Sequence, residues 1–346
     1  MSVFHTPLCS LLRIRHPILQ AGMHIAGAEL AGAVANAGGL GVIGALHLTP
    51  TTLRREIRAF RAMTAPGAPL GVDLLLPKLG GGARATNVAY TKNRLREFID
   101  VLVEEHVSVL VCAVGLPSAE VVQRCKQHNI LYIQLVGKLA HAARAIAHGA
   151  DVLVAQGAEG GGHTGDVATT TLLPEVVDCA AATGTPVVAA GGVCDGRGLV
   201  MALAFGAQGV WVGTRFALSE EANLSEFKQK SMLRAASTDT ICTEVYTGRP
   251  LRVLRNGYIE AWHTHHPAEM ALLLRAGVVP VEHDLAAIAE TDEPPNGRPP
   301  PIAPILTGQA TGRIREVLPA KDIVVAILES AAVAAARIAR GPRSRV

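Results

Sequence analysis

Aromatic side chains are scarce: two Trp, four Tyr and six Phe make up 3% of 346 residues, and charged residues reach only 18%. With 49% hydrophobic residues and 35 glycines, this composition excludes a disordered chain or a coiled coil and implies a compact core with close backbone approaches. The six cysteines, Cys9, Cys112, Cys125, Cys179, Cys194 and Cys242, form no CxxC pair, which excludes a disulfide-stapled scaffold. Three lie in Ala/Val-rich runs (VLVCAV, VVDCAAA, GGVCDG), where a thiol acts as a small hydrophobe. A net charge of +3 is too small for a nucleic-acid footprint, and the basic RIARGPRSRV at the C-terminus reads as a frayed tail. No run of 18 apolar residues exists, and Arg13, Arg15 and His16 interrupt the N-terminal leucines, so a soluble cytoplasmic protein without a membrane span is expected.

Short Val/Ile/Leu-rich runs recur along the chain, each followed by a longer Ala-rich segment. Eight are counted, ending at Ala21, Leu46, Leu76, Val114, Val136, Gly157, Val193 and Phe216. Most are continuously apolar rather than alternating, as strands covered on both faces of a parallel sheet are. Helical signals fill the gaps: Pro50-Thr51 and Pro117-Ser118 open helices, while Lys138–His148 and Asp195–Phe205 close on Gly149 and Gly206. Eight strand–helix repeats predict an α/β fold, a (β/α)8 TIM barrel. After Phe216 the pattern changes to polar segments and a Pro-rich run, EPPNGRPPPIAP, read as a linker or ordered loop. The expected organisation is a barrel over 1–217, a smaller helical cap or lid and substrate region over 218–305, and a C-terminal helix over 306–346 that returns to the barrel.

Barrel chemistry belongs at the C-terminal ends of the strands. Gly191-Gly192 follows the seventh strand and Gly213-Thr214 the eighth, the usual pair of loops for holding a phosphate, since a Cβ would keep the backbone away from its oxygens. The segment VAQGAEGGGHTG after the sixth strand sets His163 behind Gly160, Gly161 and Gly162, a placement suited to a general base. The Gly39/Gly41/Gly44 and Gly160/Gly162/Gly165 spacings also match GxGxxG, but the first precedes no helix and the strand after the second ends in glycines where a ribose-binding acid should stand. HTHH at 263–266 lacks a completing carboxylate or cysteine, so it reads as a polar loop and no metal is expected.

The runs AGMHIAGAELAGAVANAGGLGVIG, GVDLLLP, AQGAEGGGHTG, AAGGVCDGRGL and GVWVGTRF resemble the nitronate monooxygenase family, once called 2-nitropropane dioxygenases, from about residue 13 to 218 and again at LTGQATGRI. The resemblance implies an FMN-binding (β/α)8 barrel with a lid. It implies that Ala21, Gly22 and Met23 line the isoalloxazine, and that Gln156, Gly161 and Gly162 touch the flavin or ribityl phosphate. Gly191, Gly192, Gly213 and Thr214 would hold the phosphate, His163 would be the catalytic histidine, and Gln309 would approach the substrate side. Asp73 stands where many relatives have Asn near the flavin. The implied reaction is oxidation of alkyl nitronates or nitroalkanes with O2.

The same framework serves FMN-dependent enoyl reductases, NAD(P)H-linked quinone reductases and acyl-CoA dehydrogenases, so NAD(P)H is a further expected reductant and a thioester or quinone an alternative substrate. Arg249, Arg252 and Arg255 suit either an anionic ligand such as CoA or a solvated basic face. A flavin-free binding barrel is the non-enzymatic alternative. The Ala-rich last helix can cover the barrel or pair with a second copy.

Overall fold

The structure, a computed structural model, describes residues 4–291 and 293–340. Its strands in chain order are β1 (Ile18–Gln20), β2 (Gly41–Gly44), β3 (Leu70–Leu75), β4 (Val109–Ala113), β5 (Leu131–Val136), β6 (Val152–Gln156), β7 (Gly162–His163), β8 (Val187–Ala190), β9 (Gly209–Val212), β10 (Thr240–Thr243) and β11 (Leu251–Leu254). Eight of them form one parallel sheet in the order β1-β9-β8-β6-β5-β4-β3-β2. A parallel bridge between Leu19 and Leu40 joins the two ends, and Gln20 fastens this seam by accepting the Val42 N–H at 3.0 Å. The result is the expected (β/α)8 barrel.

Alternation along each strand divides the core into two layers. Leu19, Val42, Val111, Ile133, Val154, Val188 and Trp211 fill the barrel interior. Ile18, Ile43, Val72, Leu110, Leu153, Ala189 and Val210 face outward, against the surrounding helices. Each such buried aliphatic side chain contributes about 1.5–3 kcal/mol. Helix α1 (Pro7–Leu12) packs Leu8, Cys9 and Leu12 onto the interior layer, and the Thr6 hydroxyl donates to Gln208 O at 2.6 Å.

The outer helices are α2 (Ala28–Asn36), α3 (Pro50–Met63), α4 (Leu95–Glu104), α5 (Ala119–Gln127), α6 (Leu139–Ala147), α7 (Thr169–Ala181) and α8 (Gly196–Ala204), with α9 (Thr214–Ala217) a single turn after β9. Several start where capping chemistry dictates: Thr49, Ser118 and Asp195 each accept a first-turn backbone N–H.

The eighth run stops at Val212, four residues before its expected end. Phe216 is fully buried and reads as strand, but Gly213 breaks the ladder and residues 214–217 turn into α9. Similarly, β8 ends at Ala190, because Gly191 and Gly192 take φ of +95° and +75°.

Beyond α9 come α10 (Glu226–Arg234), α11 (Gly257–His265), α12 (Pro267–Arg275), α13 (Pro280–Thr291) and α14 (Ala320–Ala339). The region is not purely helical: β10 and β11 pair antiparallel, and β11 pairs with β7. A buried ionic knot ties it together. Arg298 Nη2 donates to Asp284 Oδ1 at 2.7 Å and its Nη1 to Glu269 Oε2 at 2.9 Å, with the guanidinium 4.0 Å over the Trp262 ring; Tyr258 and Trp262 also donate to Asp284. Helix α14 buries Ile323, Val324, Ile327 and Ala331 and packs on α8 and α2, so it covers the barrel wall. Of the basic C-terminal segment, Arg337–Ala339 continue α14 rather than fray, Arg340 caps it, and residues 341–346 lie outside the described residues. No described helix is long and apolar enough to cross a membrane.

Candidate active site

The C-terminal mouth of the barrel opens into a cavity of about 800 Å³, within the range of small-molecule and cofactor sites. From the β1 end it is lined by Ala21, Gly22 and Met23, and from β3 by Asp73. Gln156, Gly161, Gly162 and His163 line it after β6, Gly191 and Gly192 after β8, and Gly213 and Thr214 after β9. Of the residues that the resemblance places at the flavin or the substrate, Gln309 alone does not line the cavity. Its N–H donates to Glu159 O at 3.0 Å, and its neighbour Ala310 reaches the wall instead.

Asp73 points inward because Val72 and Leu74 on either side face the helices. The residue is 7% exposed, its buried Oδ1 has no hydrogen-bond partner, and burial raises its pKa to about 8. Gly22 lies directly over it: a Cβ there would stand 2.3 Å from the Asp73 Cβ.

His163 sits on β7, where it pairs with Leu251 of β11. Gln156 holds the strand by donating from Nε2 to His163 O at 2.7 Å. The imidazole Nε2 is 3.3 Å from Thr247 Oγ1, and that hydroxyl donates to Arg249 O. With its proton so committed, Thr247 accepts from Nε2–H, which leaves the basic lone pair on Nδ1. Burial, then the charge of Arg249, lower the His163 pKa to about 4, so the ring is neutral at pH 7. Tyr90 stands beside it, ring centroids 6.4 Å apart.

Gly191 and Gly192 turn through left-handed backbone that a side chain resists, and at Gly192 an added Cβ would meet nothing nearer than 3.9 Å. Among the described residues, no protein acceptor takes the N–H of Gly191, Gly192, Gly213 or Thr214. These are donors without acceptors on a cavity wall, the arrangement of an anion cradle. The segment 306–310 braces it: Gly308 N–H donates to Thr214 Oγ1 at 3.0 Å, and a Cβ on Gly161 would meet Gly308 N at 2.6 Å.

Several cavity residues carried no sequence signal. Tyr90 lies in a long irregular loop, Tyr246 and Thr247 in a turn before β11, and Lys228 on a polar helix. The Pro-rich run lines the cavity with Pro301, Ile302, Ala303 and Pro304, so it is a wall and not a linker; its proline content, which fixes an extended backbone, was the available signal. The three arginines are committed within the protein: Arg249 to Asn87 Oδ1 and Val114 O, Arg252 to Ala158 O and Thr240 Oγ1, Arg255 to Glu260. Residues 263–265 belong to α11 rather than to a polar loop, with His263 Nε2 2.8 Å from Thr243 Oγ1, and no metal-binding cluster occurs among the described residues.

A closed barrel with an anion cradle at its last two strands, and with a neutral imidazole and a buried carboxyl on the wall of one cavity, defines a (β/α)8-barrel enzyme. The chain belongs to the nitronate monooxygenase family, whose model matches residues 5–330, and it is an oxidoreductase. It is 40% identical over 256 residues, 74% of this chain and 67% of the relative, to a hydroxy-methyl-oxo-octahydroindene-carboxyl-CoA dehydrogenase of Mycobacterium tuberculosis. A probable nitronate monooxygenase of Staphylococcus saprophyticus is 34% identical over 73% of this chain and 79% of its own. Among solved structures, FabK from Thermotoga maritima superposes with a TM-score of 0.78 at 30% identity, covering 97% of this chain and 99% of that one. Nitroalkane oxidase from Streptomyces ansochromogenes gives 0.76 at 26%, covering 95% and 99%.

Proposed function

We propose that this protein is an FMN-dependent nitronate monooxygenase, oxidising alkyl nitronates and nitroalkanes with O2, with His163 as its general base. The observation that carries the reading is an imidazole on the cavity wall, kept neutral by burial and fixed by Thr247 with its lone pair on Nδ1. The residues present fit FMN. The unpaired amides of Gly191, Gly192, Gly213 and Thr214 suit its phosphate, and the unpartnered Asp73 carboxyl, neutral below about pH 8, suits a polar edge of the ring system. Ala21, Gly22 and Met23 would offer the ring a flat backbone surface, and Gln156, Gly161 and Gly162 would flank it.

A bound flavin supplies the two-electron acceptor and the centre that reacts with O2. The protein binds the substrate in an apolar cavity, and His163 Nδ1 takes the proton from the carbon bearing the nitro group. A base held at about 4 is weak for that removal, because general-base efficiency peaks when the pKa lies near the working pH. Substrates already ionised to nitronates are therefore favoured over neutral nitroalkanes. Residues 218–305 act as a lid, with Thr247 its contact to the base and Pro301–Pro304 its cover.

A second reading, an NAD(P)H-linked enoyl or quinone reductase or an acyl-CoA dehydrogenase, is favoured by the CoA-ester relative. One experiment separates the two. Purified protein should be yellow and bleach anaerobically with a nitronate; bleaching by NADH, NADPH or an acyl-CoA alone, with nitronate inert, overturns the first reading in favour of the second.

A further inference from the structure

The cavity has a second chemical pole at the β1 and β2 ends. His24 follows β1, His47 follows β2 and Lys228 projects from α10, and all three line the wall. The two imidazoles stand edge to face with centroids 6.0 Å apart, and Lys228 is close enough for its charge, with that of His47 and behind burial, to lower the His24 pKa. Among the described residues no carboxylate pairs with any of the three, and the Lys228 ammonium makes no hydrogen bond. The two cavity carboxyls are occupied or neutral: Glu159 accepts from Thr169 N and Oγ1, and Asp73 is buried without a counter-charge. Three nitrogen-bearing side chains without a protein acceptor gather on one rim and offer their donors to an anion.

Its position constrains the ligand. In the closed ring β2, which leads to His47, lies four strands from β6 counted either way, and β1, which leads to His24, lies three, so both imidazoles enter the mouth on the side away from the strand that leads into β7. An eight-stranded barrel at ordinary strand spacing and tilt is about 15 Å across. A small nitronate spans a fraction of that distance; a molecule that reaches both poles is long, with a reactive end and an anionic end.

We propose that Lys228, His24 and His47 dock the phosphate of an extended substrate or co-substrate whose reactive end lies by His163. The inference rests on His163 marking the reactive pole. Two molecules share this chemistry, a nicotinamide dinucleotide and a coenzyme A thioester, and each has a natural control lacking one phosphate.

The test is calorimetric binding to the purified flavin-containing protein of NADPH against NADH, and of coenzyme A against dephospho-coenzyme A. One phosphorylated ligand should bind more tightly than its control. Lys228→Ala should weaken it about tenfold or more, and Lys228→Arg should restore most of the loss. The pair that responds identifies the source. The proposal is overturned if none of the four binds, if Lys228→Ala binds as well as wild type, or if Lys228→Ala sheds its flavin, which would assign the lysine to the cofactor's phosphate. Anaerobic bleaching by nitronate without binding of any probe leaves the proposed function standing and removes the docking site. Binding that depends on Lys228, with nitronate inert, does the reverse.

Discussion

His163 on β7 and Thr247 in the turn before β11 meet at 3.3 Å, and because the Thr247 hydroxyl donates to Arg249 O, the contact leaves the basic lone pair on Nδ1. Replacement by His163→Asn keeps polarity and bulk but removes the base. Flavin content, read from the visible spectrum, should be unchanged, while turnover of a neutral nitroalkane falls about 10²–10⁴-fold. Turnover of the pre-ionised nitronate should fall far less, because it has no proton to lose.

The pH profile follows from the same ring. His163 binds fewer protons folded than unfolded between about pH 4 and 6.5, so its contribution to stability is present above 6.5 and lost as pH falls through about 4. The base is free over the same upper range. kcat/KM for a neutral nitroalkane should therefore be flat from about pH 5 to 7 and decline below, with no limb near 6.5 from His163.

Asp73 has the opposite sign. Its folded pKa of about 8 lies above the unfolded value, so folding takes up a proton; stability is highest at low pH and declines until about 8. Asp73→Asn removes that decline. By thermal melting the variant should be more stable than wild type, by little at pH 4 and by several kcal/mol at pH 8, at about 1.4 kcal/mol per pH unit.

Gly161→Ala tests the brace across the site. Its methyl would press on backbone atoms, Gly308 N and Thr307 C, each 2.6 Å from the ideal Cβ, which cannot swing aside as a side chain does. A loss of about 1–3 kcal/mol is expected in chemical denaturation, with weaker flavin retention on dialysis.

Asp284→Ala removes the acceptor shared by Arg298, Tyr258 and Trp262 and leaves a fully buried guanidinium with Glu269 alone. Breaking such a pair costs about 3–5 kcal/mol. Limited proteolysis should then cut first within 257–304 while the barrel remains intact.

The barrel was legible because its strands are short apolar runs bounded by glycine and capping residues, signals within a few residues of the elements they specify. The cavity glycines and His163 were legible for the same reason. Thr247, Tyr90 and Lys228 were not: each reaches the site through chain reversals far from any barrel strand, and nothing local distinguishes them from surface polar residues. The arginines of 249–255 illustrate the converse, since a run that looks like a basic face is consumed by internal acceptors. The eighth strand was overextended because a buried phenylalanine reads alike in a strand and in a single helical turn.

The pairing of β7 with β11 joins the imidazole to the added region through backbone as well as through Thr247. Chimeras are constrained accordingly. An added region borrowed from a relative must bring its own partner for the Gly162–His163 edge in matching register, or the hybrid will retain its ligands and lose its reactivity. Residues 301–304 line the same cavity, but Ile302 O accepts from the Tyr246 hydroxyl one residue before Thr247, so side chains there can be exchanged only while that backbone contact is kept.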